Sequence, residues 1–254
     1  MRRRKSRLVL KKRAAPGTPP GELVADPSAA ATTITAISFD PEAPDDDVSE
    51  TGPIGAEAVA ALRRPGGLLW VDIVGLADHA AIRRVATAFG LHPLAIEDIT
   101  NTHQRPKLEA YEDHLFVVFR MVAPDGPVDG EQVAMVVGEG HVLTFQERPG
   151  DSFGPVRERL RQGKGRIRRA GADYLGYALL DAAIDGYFPV LETMGEALET
   201  LEDSVAGDPD RRQVAQLHHT KRDLLTLRRA IWMLRELLGA LLRDESRTVT
   251  AATR

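Results

Sequence analysis

Apolar residues recur along this chain with two different periods, and the change falls near residue 173. Between 34 and 146, short runs rich in Val, Ile and Phe stand between Gly, Pro and Asp, the pattern of strands. They are ITAISF (34–39), LLWVDIV (68–74), LFVVFRMV (115–122), EQVAMVV (131–137) and HVLTFQE (141–147). Gly-Glu-Gly at 138–140 predicts the turn of an antiparallel hairpin joining the last two. Helices are predicted near 55–64, 78–90 and 93–101, with Asp78 and His92-Pro93 as their starts. Together these make an α/β layer on a mixed sheet.

Beyond 173 the spacing becomes 3-4-3-4. One seam runs Tyr177, Leu180, Ile184, Tyr187, Leu191, Met194, Leu198, Leu201, Val205. A second runs Leu217, Thr220, Leu224, Leu227, Ile231, Leu234, Leu238, Leu241. Each is sustained over about four heptads, which predicts two long helices packed along narrow stripes. Between them Gly207 suits a helix end, Asp208 an N-cap and Pro209 a first helical position. The prediction is a helical hairpin with arms of about 33 residues, roughly 50 Å each. Residues 14–30, rich in Pro, Gly and Ala, read as a linker. The expected organisation is a basic tail (1–33), the α/β layer (34–170) and the hairpin (171–254). The last stretch, LLRDESRTVTAATR, carries no cap, so the chain either frays there or is the cut end of a longer protein.

Composition narrows the chemistry. No cysteine is present among 254 residues, which excludes disulfides and thiolate metal sites and fits a reducing compartment. A net charge of −4 gives no global reason to expect nucleic-acid binding. The basic run MRRRKSRLVLKKR (1–13) has no apolar core of signal-peptide length behind it and reads as a solvated terminus. The most apolar long stretch, AIWMLRELLGALL (230–242), is interrupted by Arg235 and Glu236. It falls short of the ~18 apolar residues a membrane span needs.

No enzyme motif is present: no GxSxG, no P-loop, no HExxH, no GxGxxG after a strand. His218 and His219 are adjacent and diverge on a helix by about 100°, so they do not chelate. The acids carry more. Glu97 and Asp98 end a short helix; Asp181 and Asp185 stand four apart in an otherwise apolar run. Like charges at that spacing repel unless something lies between or opposite them. Carboxylates without imidazole or thiolate suit hard cations such as Mg2+ or Ca2+, and Mg2+ accepts one or two of them while keeping most of its water. The plainer reading pairs Asp98 with Arg105 or Lys107.

Several stretches together resemble the cytosolic domain of the CorA family of divalent-cation channels. They are PPGELV (19–24), WVDIVGL (70–76), FGLHPLAIEDITNTHQRPKLEAYEDHLFVVFRM (89–121), TFQERPGDSFGPVRERLR (144–161), ADYLGYALLDAAIDGYFPVLE (172–192) and HHTKRDLLTLRRAIWMLRELLGALLRDE (218–245). The resemblance implies an α+β fold: an α/β/α layer, its mixed sheet carrying helices on both faces, followed by a long antiparallel hairpin, the "willow" helices. It implies a homopentamer, not an enzyme, held in the plasma (inner) membrane by a stalk and two spans that this sequence lacks, with this domain on the cytoplasmic side. It places a regulatory intersubunit Mg2+ site at Asp98, with Glu97 beside it and Asp181, followed on its helix by Asp185, nearby. Ions would hold the closed funnel, and their loss would push subunits apart. The family's ZntB branch and its Co2+ or Ni2+ carriers share the fold, so Co2+, Ni2+ or Zn2+ remain open as the ion. A non-conducting coiled-coil scaffold is the alternative of another class.

Overall fold

The structure, a computed structural model, describes residues 23, 26–43, 48–123, 126–207, 210–243 and 248–253. The basic run 1–13 and the proposed caps Asp208 and Pro209 lie outside them. Among the described residues seven strands form one sheet: β1 (Thr33–Phe39), β2 (Ser49–Thr51), β3 (Leu68–Val74), β4 (Lys107–Ala110), β5 (His114–Met121), β6 (Glu131–Gly138) and β7 (His141–Gln146). Their order is β2-β1-β3-β7-β6-β5-β4. The pair β3–β7 is parallel and every other pair is antiparallel, so the sheet is mixed as expected. β6 and β7 form the predicted hairpin, with Gly138 opposite His141 and Gly140 at φ +68° in the turn.

The central strands are buried on both faces, which is why they read as near-continuous apolar runs. One face carries Leu69, Val71, Phe116, Val136 and Phe145 and is covered by α1 (His79–Ala88) and α2 (Pro93–Thr100). The other carries Trp70, Val117, Phe119, Met135 and Val142 and is covered by α3 (Gly154–Gln162), α4 (Ala172–Asp185) and the C-terminal half of α6 (Arg211–Arg243). The starts hold as predicted. Asp78 accepts the Ala81 N–H at 2.9 Å, and His92 Nδ1 accepts the Leu94 N–H at 3.2 Å ahead of Pro93. The helix expected over 55–64 is reduced to a 3-10 turn at Val59–Leu62.

The first long arm needs correction. It is two helices, α4 and α5 (Tyr187–Gly207), separated by Gly186. Pro189 cannot donate to the carbonyl four residues back, at Asp185, and its ring clashes there, so the helix is interrupted. The apolar spacing runs through this break because Leu180 faces the sheet while Met194 and Leu201 face α6. The hairpin is thus α5 against α6. The second arm has the anticipated 33 residues. In the α5–α6 turn, Gln213 Oε1 accepts the Asp210 N–H at 2.7 Å, and its Nε2 donates to the Ser204 carbonyl at 3.0 Å. A short stripe of α6 (Leu217, Leu224, Ile231) is exposed.

Candidate functional site

Helix α2 buries Ala95, Ile96 and Ile99 against the sheet, and this periodicity leaves Glu97 and Asp98 half-buried at its edge. Both oxygens of Asp98 are engaged. Gln104 Nε2 donates to Oδ1 and Lys107 Nζ to Oδ2, each at 2.6 Å. Gln132, from β6, pins the helix end by donating to the carbonyls of Asp98 (3.1 Å) and Asn101 (3.2 Å). Its Oε1 accepts the Gln104 N–H at 3.0 Å. Lys107 also donates to Glu109 Oε1 at 2.7 Å and lies 5.6 Å from the Phe116 ring centroid. Burial pulls the Lys107 ammonium downward, but its bonds to Asp98 and Glu109 outweigh this and raise its pKa. The Lys107 pairing anticipated for Asp98 is therefore present.

Asp181 and Asp185 lie on α4, on the other side of the sheet. They line a cleft of about 380 Å³ with Asp151, Ser152 and Arg159. Burial, and then the neighbouring charge of Asp185, push the Asp181 carboxyl up; Arg159 and the Tyr177 hydroxyl act against this. Here the like charges are incompletely compensated. The cleft wall is set by a network the sequence did not reveal. Asp72, 4% exposed on β3, accepts from Thr144 Oγ1 (2.7 Å), Gln146 Nε2 (2.6 Å) and Arg157 Nη2 (2.5 Å). Arg157 also bonds Asp151 and stacks 5.1 Å from Trp70, which fixes α3 and with it Arg159. The signal in sequence was a lone Asp inside the apolar run LLWVDIV, since a buried charge requires a partner.

Glu97 and Asp98 are thus placed on one face of the layer and Asp181 and Asp185 on the other, and one chain does not bring the two pairs together. Among the described residues no three metal-ligating side chains converge. The donors present are carboxylate oxygens, which suit a hard, hydrated cation.

Residues 65–253 match the family described as CorA-like Mg2+ transporter protein. The chain belongs to the CorA family. It is 42% identical over 191 residues to the cobalt/magnesium transport protein CorA of Thermotoga maritima, covering 74% of this chain and 54% of that protein. It is 32% identical over 169 residues to the magnesium transporter ALR1 of Saccharomyces cerevisiae, covering 64% and 19% respectively. The chain spans about half the length of the bacterial relatives it matches. Its fold is similar to part of the CorA magnesium transporter from Methanocaldococcus jannaschii (TM-score 0.69, 17% identity, 86% of this chain and 66% of that one). It is also similar to that of the ZntB cytoplasmic domain from Vibrio parahaemolyticus (TM-score 0.64, 15% identity, 85% and 82%). CorA is a family of transporters, not of enzymes. Among the described residues of this CorA chain, no helix is long and apolar enough to cross a membrane.

Proposed function

We propose that this chain is the ion-sensing cytoplasmic part of a CorA-type magnesium or cobalt transporter whose pore is carried by membrane spans outside residues 1–254. In this reading the subunits form a homopentameric ring. Asp98 and Glu97 of one subunit face Asp181 and Asp185 of the next across a hydrated divalent cation. The observation that carries it is the placement of the two acid pairs on opposite faces of one layer. A ring repeats a head-to-tail contact in which one face meets the other, so two chains can join what one chain keeps apart.

The donor set fits Mg2+. Burial and then the charge of Asp185 push the Asp181 carboxyl up, so a cation placed there would relieve both. Bound there, the ion would supply the missing charge and hold its water against both walls. A millimolar sensor contributes only about 4 kcal/mol per site. Moving a two-state equilibrium from 1:99 to 99:1 takes about 5.5 kcal/mol of differential binding. Several sites around a ring meet that requirement where one does not.

The test is sedimentation and limited proteolysis of the 254-residue chain in millimolar Mg2+ against chelator. Mg2+ is expected to promote association and slow cleavage, and Asp98→Asn and Asp181→Asn each to abolish both effects. Equal behaviour with and without Mg2+ would favour the scaffold reading and end this one.

A further inference from the structure

The ammonium of Lys107 sits where a cation at Asp98 would have to go. Its Nζ is 2.6 Å from Asp98 Oδ2, and Gln104 fills the other oxygen. The same Nζ is already bonded to Glu109 Oε1 at 2.7 Å and lies over the Phe116 ring. We propose that Lys107 is a built-in competitor for the ion: divalent binding at Asp98 displaces Lys107, which is then held by Glu109. This rests on the reading of Asp98 as a cation-sensing residue and adds how its sensitivity is set.

The chemistry runs one way. A half-buried carboxylate with no partner is costly, so Asp98 keeps Lys107 while the ion is scarce. A half-buried ammonium with no partner is equally costly, and Glu109 supplies the second position that makes release possible. Glu109 is itself steadied by the Tyr111 hydroxyl, which donates to its Oε2 at 3.3 Å. Every ion bound must compete with an internal charge whose effective concentration is high because it is tethered nine residues away. The affinity is thereby lowered toward the concentration range a sensor of abundant Mg2+ needs. The device is also selective by charge, since a monovalent ion gains nothing by exchanging with an ammonium.

The experiment is the Mg2+ concentration giving half-protection from proteolysis, read for a double-mutant cycle. Lys107→Met is expected to lower that midpoint by about tenfold. Glu109→Gln, which removes the second position and leaves Lys107 on Asp98, is expected to raise it several-fold. The two effects are expected to couple: in the Lys107→Met background, Glu109→Gln should change nothing, because no ammonium remains to be received. Lys107→Arg, whose planar fork grips a carboxylate at two points, should leave the midpoint at or above the wild-type value. It also controls for folding if Lys107→Met unfolds. If Glu109→Gln keeps its full effect without Lys107, the charges act only through space and the displacement is refuted. An unmoved midpoint in Lys107→Met refutes it too. An Asp98→Asn chain that kept the wild-type Mg2+ response would, by contrast, strike the sensing reading itself, and the displacement with it.

Discussion

At the scale of single residues, what the sequence showed and what it hid separate by sequence distance. Asp98 and Lys107 were visible as a plausible pair because nine residues and one turn divide them. Gln132, which pins the same helix end, is 31 residues beyond Asn101 and became visible only once β6 was paired beside β5. Glu131 is the sharper case, for it stands at the start of the apolar run of its strand, where an acid reads as an exposed end. It is 3% exposed, and burial raises its carboxyl to about 7, with the charges of Glu147 and Asp151 adding to the rise and the Arg148 N–H opposing it. A carboxyl with a raised folded pKa favours the fold while protonated. Its contribution is complete below the unfolded value of 4.5 and is lost as pH rises through about 7. The span corresponds to about 3 kcal/mol. Urea denaturation of wild type and Glu131→Gln between pH 4 and 8 should show the stability difference shifting by that order in favour of the variant. Parallel curves would mean that Glu131 stays charged in the fold.

At the scale of elements, long periodic segments were legible and short or interrupted ones were not. β2 has three residues and β4 four, and neither is long enough to show an alternation. Helix α3 is not among the expected helices, although Pro155 near its start and Gly163 at φ +63° past its end are ordinary punctuation. Its charged run RERLR hid a face made of only Val156 and Leu160. The α4–α5 break was hidden for the opposite reason, since a 3-4 apolar rhythm continues across it. Gly186 marks the place. A Cβ there would lie 2.8 Å from Ser152 Oγ and 2.9 Å from the Val122 carbonyl oxygen. Gly195, one helix further on, would meet nothing within 4 Å. Gly186→Ala is therefore expected to destabilise by about 1–3 kcal/mol through overpacking. Gly195→Ala should stabilise by about 0.5–1 kcal/mol through helix propensity. Urea midpoints read both, and equal signs would mean that the step from α4 to α5 yields freely.

At the scale of the molecule, the decisive fact is that the sheet stands between the two acid pairs. Helix α2 belongs to one core and α4 to the other, so an ion shared by Asp98 and Asp181 must lie between chains. Sequence periodicity placed the acids on their helices, but no pattern along the chain says on which side of a mixed sheet each helix packs. That information enters only through the strand order and the crossovers. The placement gives the intersubunit reading a signature that no single variant can give. An Asp98→Asn chain keeps a sound α4 face, and an Asp181→Asn chain keeps a sound α2 face. Alone, neither should associate in Mg2+. Mixed, they can form one sound contact, between the α2 face of the second and the α4 face of the first. Both outward faces of that pair are then disabled, so growth stops at two. Sedimentation of the equimolar mixture in Mg2+ should therefore show a heterodimer and nothing larger, and chelator should dissolve it. If each chain supplied a complete site by itself, mixing would restore nothing. If the contact joined like faces across a two-fold axis, each variant would pair with itself through its sound face and not with the other.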